Sequence, residues 1–87
     1  MKYIVTSLND VEMIFTFPRS IDHDRMWEMI ASIRFGTPQH WDRTLRGGEV
    51  ISAGFVSNGK CHGHSETLQV CSRTLIDTAL LQQSQSM

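Results

Sequence analysis

Trp41 with Arg43 and Arg46, and Phe55 with Arg73, are the side chains whose types best suit a chemical task in this sequence. Aromatic faces stack on nucleobases, and arginine forks hold phosphates through bidentate hydrogen bonds. A nucleotide-like ligand needs both, in few copies, and does not require a strongly basic protein. The competing reading makes Trp41 and Phe55 core anchors and the arginines solvated or ion-paired, since aromatics bury so much area.

Cys61, His62, His64 and Cys71 form the one cluster of metal-ligand types. Structural zinc wants four tetrahedral ligands, usually including a paired knuckle such as C-x2-C, and a second knuckle is missing. The cluster therefore reads as a buried Cys61 beside surface histidines, with no metal and no cofactor implied. Cys–His nucleophilic chemistry needs a base and an orienting group. Ser65-Glu66 and Asp77 supply these on paper only. Gly47-Gly48 lacks the downstream lysine of a phosphate-binding loop. The residues point to a binder rather than an enzyme.

The segment that must position these groups is 51–66, ISAGFVSNGKCHGHSE. Asn58-Gly59 suits a two-residue type I′ turn, which needs positive φ at both centres and joins antiparallel strands. That turn sets Val56 opposite Cys61, Phe55 opposite His62, Gly54 opposite Gly63, Ala53 opposite His64 and Ser52 opposite Ser65. Alternation then puts Phe55, Ala53, His62 and His64 on one face. The other face carries Val56, Cys61, Ser52, Ser65 and the glycines, small enough for close approach of another backbone, a subunit or a ligand.

Strands and helices must hold that hairpin. Lys2 to Leu8 and Val11 to Phe17 are rich in β-branched and aromatic residues and read as strands joined at Asn9-Asp10, with Pro18 ending the second. Asp22 can cap a helix whose stripe is Met26, Trp27, Ile30 and Ile33, with Ile21 and Met26 as a hydrophobic staple. Gly36 and Pro38 stop it. Trp27 reads as core, His23 as an exposed first-turn residue, and Arg19 as a partner for Asp22 or Asp24. Residues 36–48 read as an exposed basic connection, and Leu68–Val70 as a short strand. Ser72 can cap a last helix over 73–83, with Leu75, Ile76, Ala79 and Leu80 on its buried side. The expectation is one α+β domain over 1–83, in ββαββα order. Its sheet is mainly antiparallel, built from two hairpins with two helices packed on one face, and 84–87 form a frayed tail.

The bulk numbers bound the function. The chain has 87 residues, net charge −1, 40% hydrophobic and 20% charged residues, which fits one globular domain. A dedicated DNA or RNA binder would need far more Lys and Arg for phosphate neutralisation. Arg34, Arg43 and Arg46 face only Asp42 between 34 and 46, so a local anionic ligand stays open. The apolar runs are far below the roughly 20 residues that span a bilayer, and the start lacks a leader pattern. The two cysteines make no disulfide framework, and the expectation is a reduced cytosolic protein without a membrane partner. So short a chain buries only about 60–65% of its unfolded surface, which favours a homo-oligomer.

Residues 52–81, SAGFVSNGKCHGHSETLQVCSRTLIDTALL, contain S-A-G-F, then C-x-G-x-S-E-T-L, S-R and D-T-x-L-L, and residues 17–24 read F-P-x-x-I-x-H-D. These blocks resemble the first type of the phage Thoeris anti-defence family. The resemblance implies a phage-encoded sponge in the host cytoplasm, which binds cyclic ADP-ribose isomers made by TIR-domain immune proteins without cleaving them. Some members hold cyclic oligonucleotides, and the family forms dimers or hexamers. It carries over Phe55 as the adenine platform, Arg73 as a phosphate ligand and Ser65 as a further contact. With His62, His64, Trp41 and Arg43 from the residue reading, these make the candidate ligand site. The alternative function is a small inhibitor that binds a host defence protein directly.

Overall fold

The computed structural model describes residues 1–8, 10–30, 32, 44–45 and 48–85. Strands β1 (Lys2–Leu8) and β2 (Val11–Phe17) are followed by helix α1 (His23–Ile30), β3 (Thr44–Leu45) and the long β4 (Gly48–Ser57). Short strands β5 (Lys60–His62), β6 (His64–Ser65) and β7 (Val70–Cys71) lead to helix α2 (Thr74–Gln85). The main sheet is antiparallel, in the order β2-β1-β4-β3, with β5 also on β4. The class is α+β, as the residue pattern indicates.

β1 is the central strand. It pairs with β2 from Lys2↔Phe17 to Leu8↔Val11, and with β4 from Lys2↔Phe55 to Leu8↔Gly48, with a bulge beside Val5/Thr6. Tyr3, Ile4, Val5 and Thr6 are all fully buried, so β1 is covered on both faces. Ile4 joins Phe17, Trp27, Ile30, Val50, Ala53 and Leu68 in one core. Tyr3 and Val5 join Cys61 and Leu81 in a second core, flanked by Ile14, Ile51 and Leu80. Successive strand residues point to opposite faces, so α1 and α2 lie on opposite sides of the sheet. The expectation of two helices on one face is corrected here. The cause is the unbroken apolar run Tyr3-Ile4-Val5, which demands cover on both sides.

The β4–β5 hairpin turns as the residues require, with φ of 52° at Asn58 and 77° at Gly59. Phe55↔His62 and Val56↔Cys61 pair. Beyond His62 the expected register stops. Gly63 takes φ of 83°, and the chain leaves β4 so that His64 and Ser65 pair with Cys71 and Val70 instead. Gly54–Gly63, Ala53–His64 and Ser52–Ser65 are therefore not strand partners. The small-residue face is also closed from within. A Cβ on Gly54 would strike the His62 carbonyl oxygen and crowd the Tyr3 ring, and one on Gly63 would reach Phe55 Cδ2 at 3.0 Å.

The remaining boundaries shift modestly. The Asp22 carbonyl accepts from Met26 N–H at 3.0 Å, the first bond of α1. Ile33, Gly36 and Pro38, the expected end of that helix, lie outside the described residues. Part of the presumed 36–48 connection is strand, since Thr44↔Glu49 and Leu45↔Gly48 pair. Leu68 is a buried turn residue, and the short strand falls at Val70–Cys71. The first α2 bond runs from Asp77 N–H to the Arg73 carbonyl at 2.8 Å, so Arg73, not Ser72, occupies the cap position. The helix continues through Gln85, past the expected end at 83.

Candidate functional site

Phe55 is half-buried near the end of β4, on the α1 side of the sheet. Its ring is the centre of a cleft. His62 opposite it stacks at a centroid distance of 6.1 Å and an interplanar angle of 27°. The Arg19 guanidinium carbon stands 5.9 Å from the ring centroid, in cation–π geometry. His23 meets the ring edge-on at 5.7 Å.

A recess opens on each side of Phe55. The smaller, about 170 Å³, is lined by Arg19, His62 and Ser57, and among its described lining residues there is no carboxylate. His62 Nε2 and Ser57 Oγ lie 3.1 Å apart. The larger, about 320 Å³, carries Lys2, His64, Ser65 and Thr67 together with Asp22 and Glu66. Its basic side chains already have acidic or carbonyl neighbours. Lys2 Nζ donates to the Ile21 carbonyl at 2.9 Å and lies 3.9 Å from Asp22. His64 lies 3.7 Å from Glu66. The smaller recess is thus the more electropositive one, beside an aromatic face, and suits an anionic group attached to a planar ring.

The structure gathers Phe55, His62, His64 and Ser65 around this cleft. Ser65 is buried, and its Oγ accepts from Leu68 N–H at 3.2 Å, closing the turn before β7. It borders the larger recess with that oxygen already committed. Trp41 and Arg43, like Arg46, lie outside the described residues.

Arg73 is placed elsewhere. It sits on the α2 side of the sheet, with its guanidinium held between two carboxylates. Nε and Nη2 donate to Asp77 Oδ1 at 3.0 and 2.8 Å, and Nη2 donates to Glu12 Oε1 at 2.9 Å. Asp77 is fully buried and also accepts from the Arg73 backbone N–H at 2.9 Å. Its Oδ2 lies 2.6 Å from the Tyr3 hydroxyl, whose oxygen is also 2.5 Å from Ser72 Oγ. The single phenolic proton goes to the carboxylate, which leaves Ser72 to donate in the other contact. Burial and this bond push the Tyr3 hydroxyl far above its ordinary range. The cluster ties β1 and β2 to the start of α2, and Arg73 and Phe55 do not share a pocket.

The cysteine–histidine cluster is split as well. Cys61 is buried toward α2, and its backbone N–H donates to Thr78 Oγ1 at 3.0 Å. Desolvation pushes its thiol upward. His62 points to the other face, and Cys71 is exposed. Among the described residues no group of three or more His, Cys, Asp or Glu side chains could hold a metal.

Residue reading missed Arg19 and His23. Arg19 lies over Phe55, and no ion pair to Asp22 or Asp24 is formed among the described residues. His23 is only 5% exposed, contrary to the exposed position expected for a first-turn residue. Its signal was available, because His23 precedes Trp27 and Ile30 at helical spacing and extends their stripe. Burial lowers its pKa from 6.5, and nearby Lys2 adds to this against the opposing Gly54 hydrogen bond, Asp22 and Asp24. A histidine less basic folded than unfolded contributes full stability above the unfolded value of 6.5, and that contribution is lost as pH falls through 6.5 toward the folded value. The urea midpoint of the wild type should therefore drop between pH 7 and pH 5 by more than that of His23→Gln. Equal drops would place the acid sensitivity on other groups.

The fold and cleft define a small α+β domain with a half-buried aromatic between two recesses. No family model matches the sequence, and no curated protein or solved structure matches it.

Proposed function

We propose that this protein is a non-enzymatic binder of small cyclic nucleotide signals, a phage-encoded sponge acting in the host cytoplasm. Cyclic ADP-ribose isomers are the first ligand class, with cyclic oligonucleotides as further candidates. The observation that carries this reading is the Phe55 cleft, where a half-buried aromatic face and a guanidinium adjoin a recess with no carboxylate among its described lining residues. The resemblance of the 17–24 and 52–81 blocks to the Thoeris anti-defence family supports it independently. Phe55 serves as the base platform, and Arg19, not Arg73, as the adjacent cation. His62 and His64 border the two recesses.

A panel of cyclic ADP-ribose isomers and cyclic oligonucleotides, incubated with the protein and then recovered by heating, tests the reading. Intact ligand released on denaturation is the expected result. A converted product would make the protein an enzyme. No uptake of any member would favour the second reading, a direct inhibitor of a host protein. That alternative has its own observation. Leu75 and Ile76 on α2 are 86% and 56% exposed, an apolar surface where the residue pattern expected a buried helix face.

Affinity sets a further requirement. Sequestration near 1 nM needs about −12 kcal/mol, whereas stacking yields roughly 1–3 kcal/mol per base and a charged hydrogen bond about 1.5–3. A cleft open to solvent on one chain falls short, and a second copy closing over it supplies the remainder. The expected assembly is a homo-oligomer, a dimer or hexamer. Light scattering should give a multiple of the 9.9 kDa chain mass, and a monomer mass across a wide concentration range would contradict this.

A further inference from the structure

The geometry points to His23 as the positioning residue of the cleft, a buried imidazole that transmits the fixed geometry of the core to the Phe55 ring. This rests on the reading of Phe55 as the ligand platform, but its structural part can be tested without any ligand.

His23 stands between two phenylalanines. It is perpendicular to Phe17 at 5.4 Å and to Phe55 at 5.7 Å. Phe17 is a buried core residue and Phe55 is half-buried, so the imidazole is a wedge between a ring packed in the core and one that borders the cleft. Its Nε2 lies 3.0 Å from the Gly54 carbonyl oxygen. A carbonyl only accepts, so Nε2 carries the proton, and the residue preceding Phe55 is pinned by that donor. Beyond His62 the main-chain ladder on that side of β4 is lost. His23 thus steadies the strand next to where the ladder ends. Trp27 and Ile30 hold α1 in the core, which fixes the wedge in turn. A displacement of about 1 Å at a binding group is enough to matter.

The charges around His23 come from several elements. Lys2 on β1, Asp22 at the cap and Asp24 on α1 act on it directly. Arg19 and His62 reach the far side of Phe55, and His64 and Glu66 lie across the larger recess. Burial outweighs the two aspartates, and the positive end of α1 also opposes an imidazolium at its first turn. Acid therefore charges a group that has little room for water, and the wedge loosens.

The test is aromatic NMR of the ligand-free protein in a His40→Gln, His62→Gln, His64→Gln background, so that His23 is the one histidine left in the sequence. Phe55 ring resonances should move with pH at a midpoint below 6.5. His23→Gln, whose amide nitrogen can take the place of Nε2, should leave them near the neutral positions and flatten the titration. His23→Leu keeps bulk without the donor and should shift them at pH 7.5. Phe55 signals that ignore both pH and the Leu change would overturn the proposal. If His23→Leu does not fold, the wild-type and Gln titrations decide it alone. With cyclic ADP-ribose added and native His40, His62 and His64 restored, His23→Leu should bind at least about tenfold more weakly and His23→Gln close to wild type. Equal affinity in all three would also overturn it. Failure of the wild type to bind would strike the nucleotide reading, with the NMR result still deciding the role of His23.

Discussion

Phe55→Ala is expected to abolish uptake of cyclic ADP-ribose while leaving the protein folded. A fully buried phenylalanine costs about 3–5 kcal/mol when truncated. Phe55 is only half-buried and borders open recesses, so truncation removes less core packing and the stability cost should fall below that range. Removing the platform forfeits the stacking energy and the cation–π site for Arg19 together. Two measurements separate the effects, a thermal melt by circular dichroism and ligand recovery after heating. A folded variant that retains uptake would remove Phe55 from the site. A variant that unfolds would make the ring a core anchor after all, and Phe55→Leu, which keeps apolar bulk without an aromatic face, would then take its place in the uptake assay.

Arg73→Ala should damage stability and spare ligand uptake, the reverse of what an arginine beside a helix start suggests in sequence. The substitution leaves the Asp77 carboxylate fully buried with a phenol and a backbone N–H but no counter-charge. Breaking such a pair by removing one partner costs about 3 kcal/mol or more. In a domain of this size that lowers Tm by more than about 10 °C. Arg73→Lys should recover only part of the loss, because an ammonium cannot bridge Asp77 and Glu12 with a planar fork. Glu12→Gln should be milder, since its side chain is 37% exposed. An unchanged Tm with weakened uptake would return Arg73 to the ligand site.

The first two strands were readable to the residue because Pro18 and the Asn9-Asp10 dipeptide bracket dense β-branched and aromatic runs in the sequence. The type I′ turn was readable because Asn58-Gly59 leaves few conformations. The hairpin register held as far as His62 and then failed. Gly63 adopts a left-handed φ that sequence alone could not distinguish from an ordinary strand glycine. Helix placement failed for a different reason. The β-branched content of Tyr3-Ile4-Val5 fits a half-buried surface, but a run without alternation signals cover on both faces.

In the site, Phe55 and His62 were legible from cross-strand pairing. Arg73 is drawn away from the cleft by Asp77, four residues on. Residues four apart on a helix meet, and an acid at that distance competes with any anionic ligand. Arg19 and His23 required the tertiary structure. A loop before α1 brings one over a strand that is distant in sequence, and the helix presses the other beneath it.

The central position of β1 also governs how the chain acquires its structure. Its β2 partner follows at once in synthesis, but β4 comes much later, and the Tyr3–Asp77 bond joins groups 74 positions apart. Until those late segments exist, α1 can cover only the Ile4 face of the early hairpin, and Tyr3 and Val5 on the other face wait for Cys61 and Leu81. A topology so rich in distant pairings folds in milliseconds to seconds rather than microseconds, and its nascent form is exposed to misassembly for that interval. Since α2 supplies Asp77 to Tyr3 and Leu81 to the second core, completion of folding waits on α2.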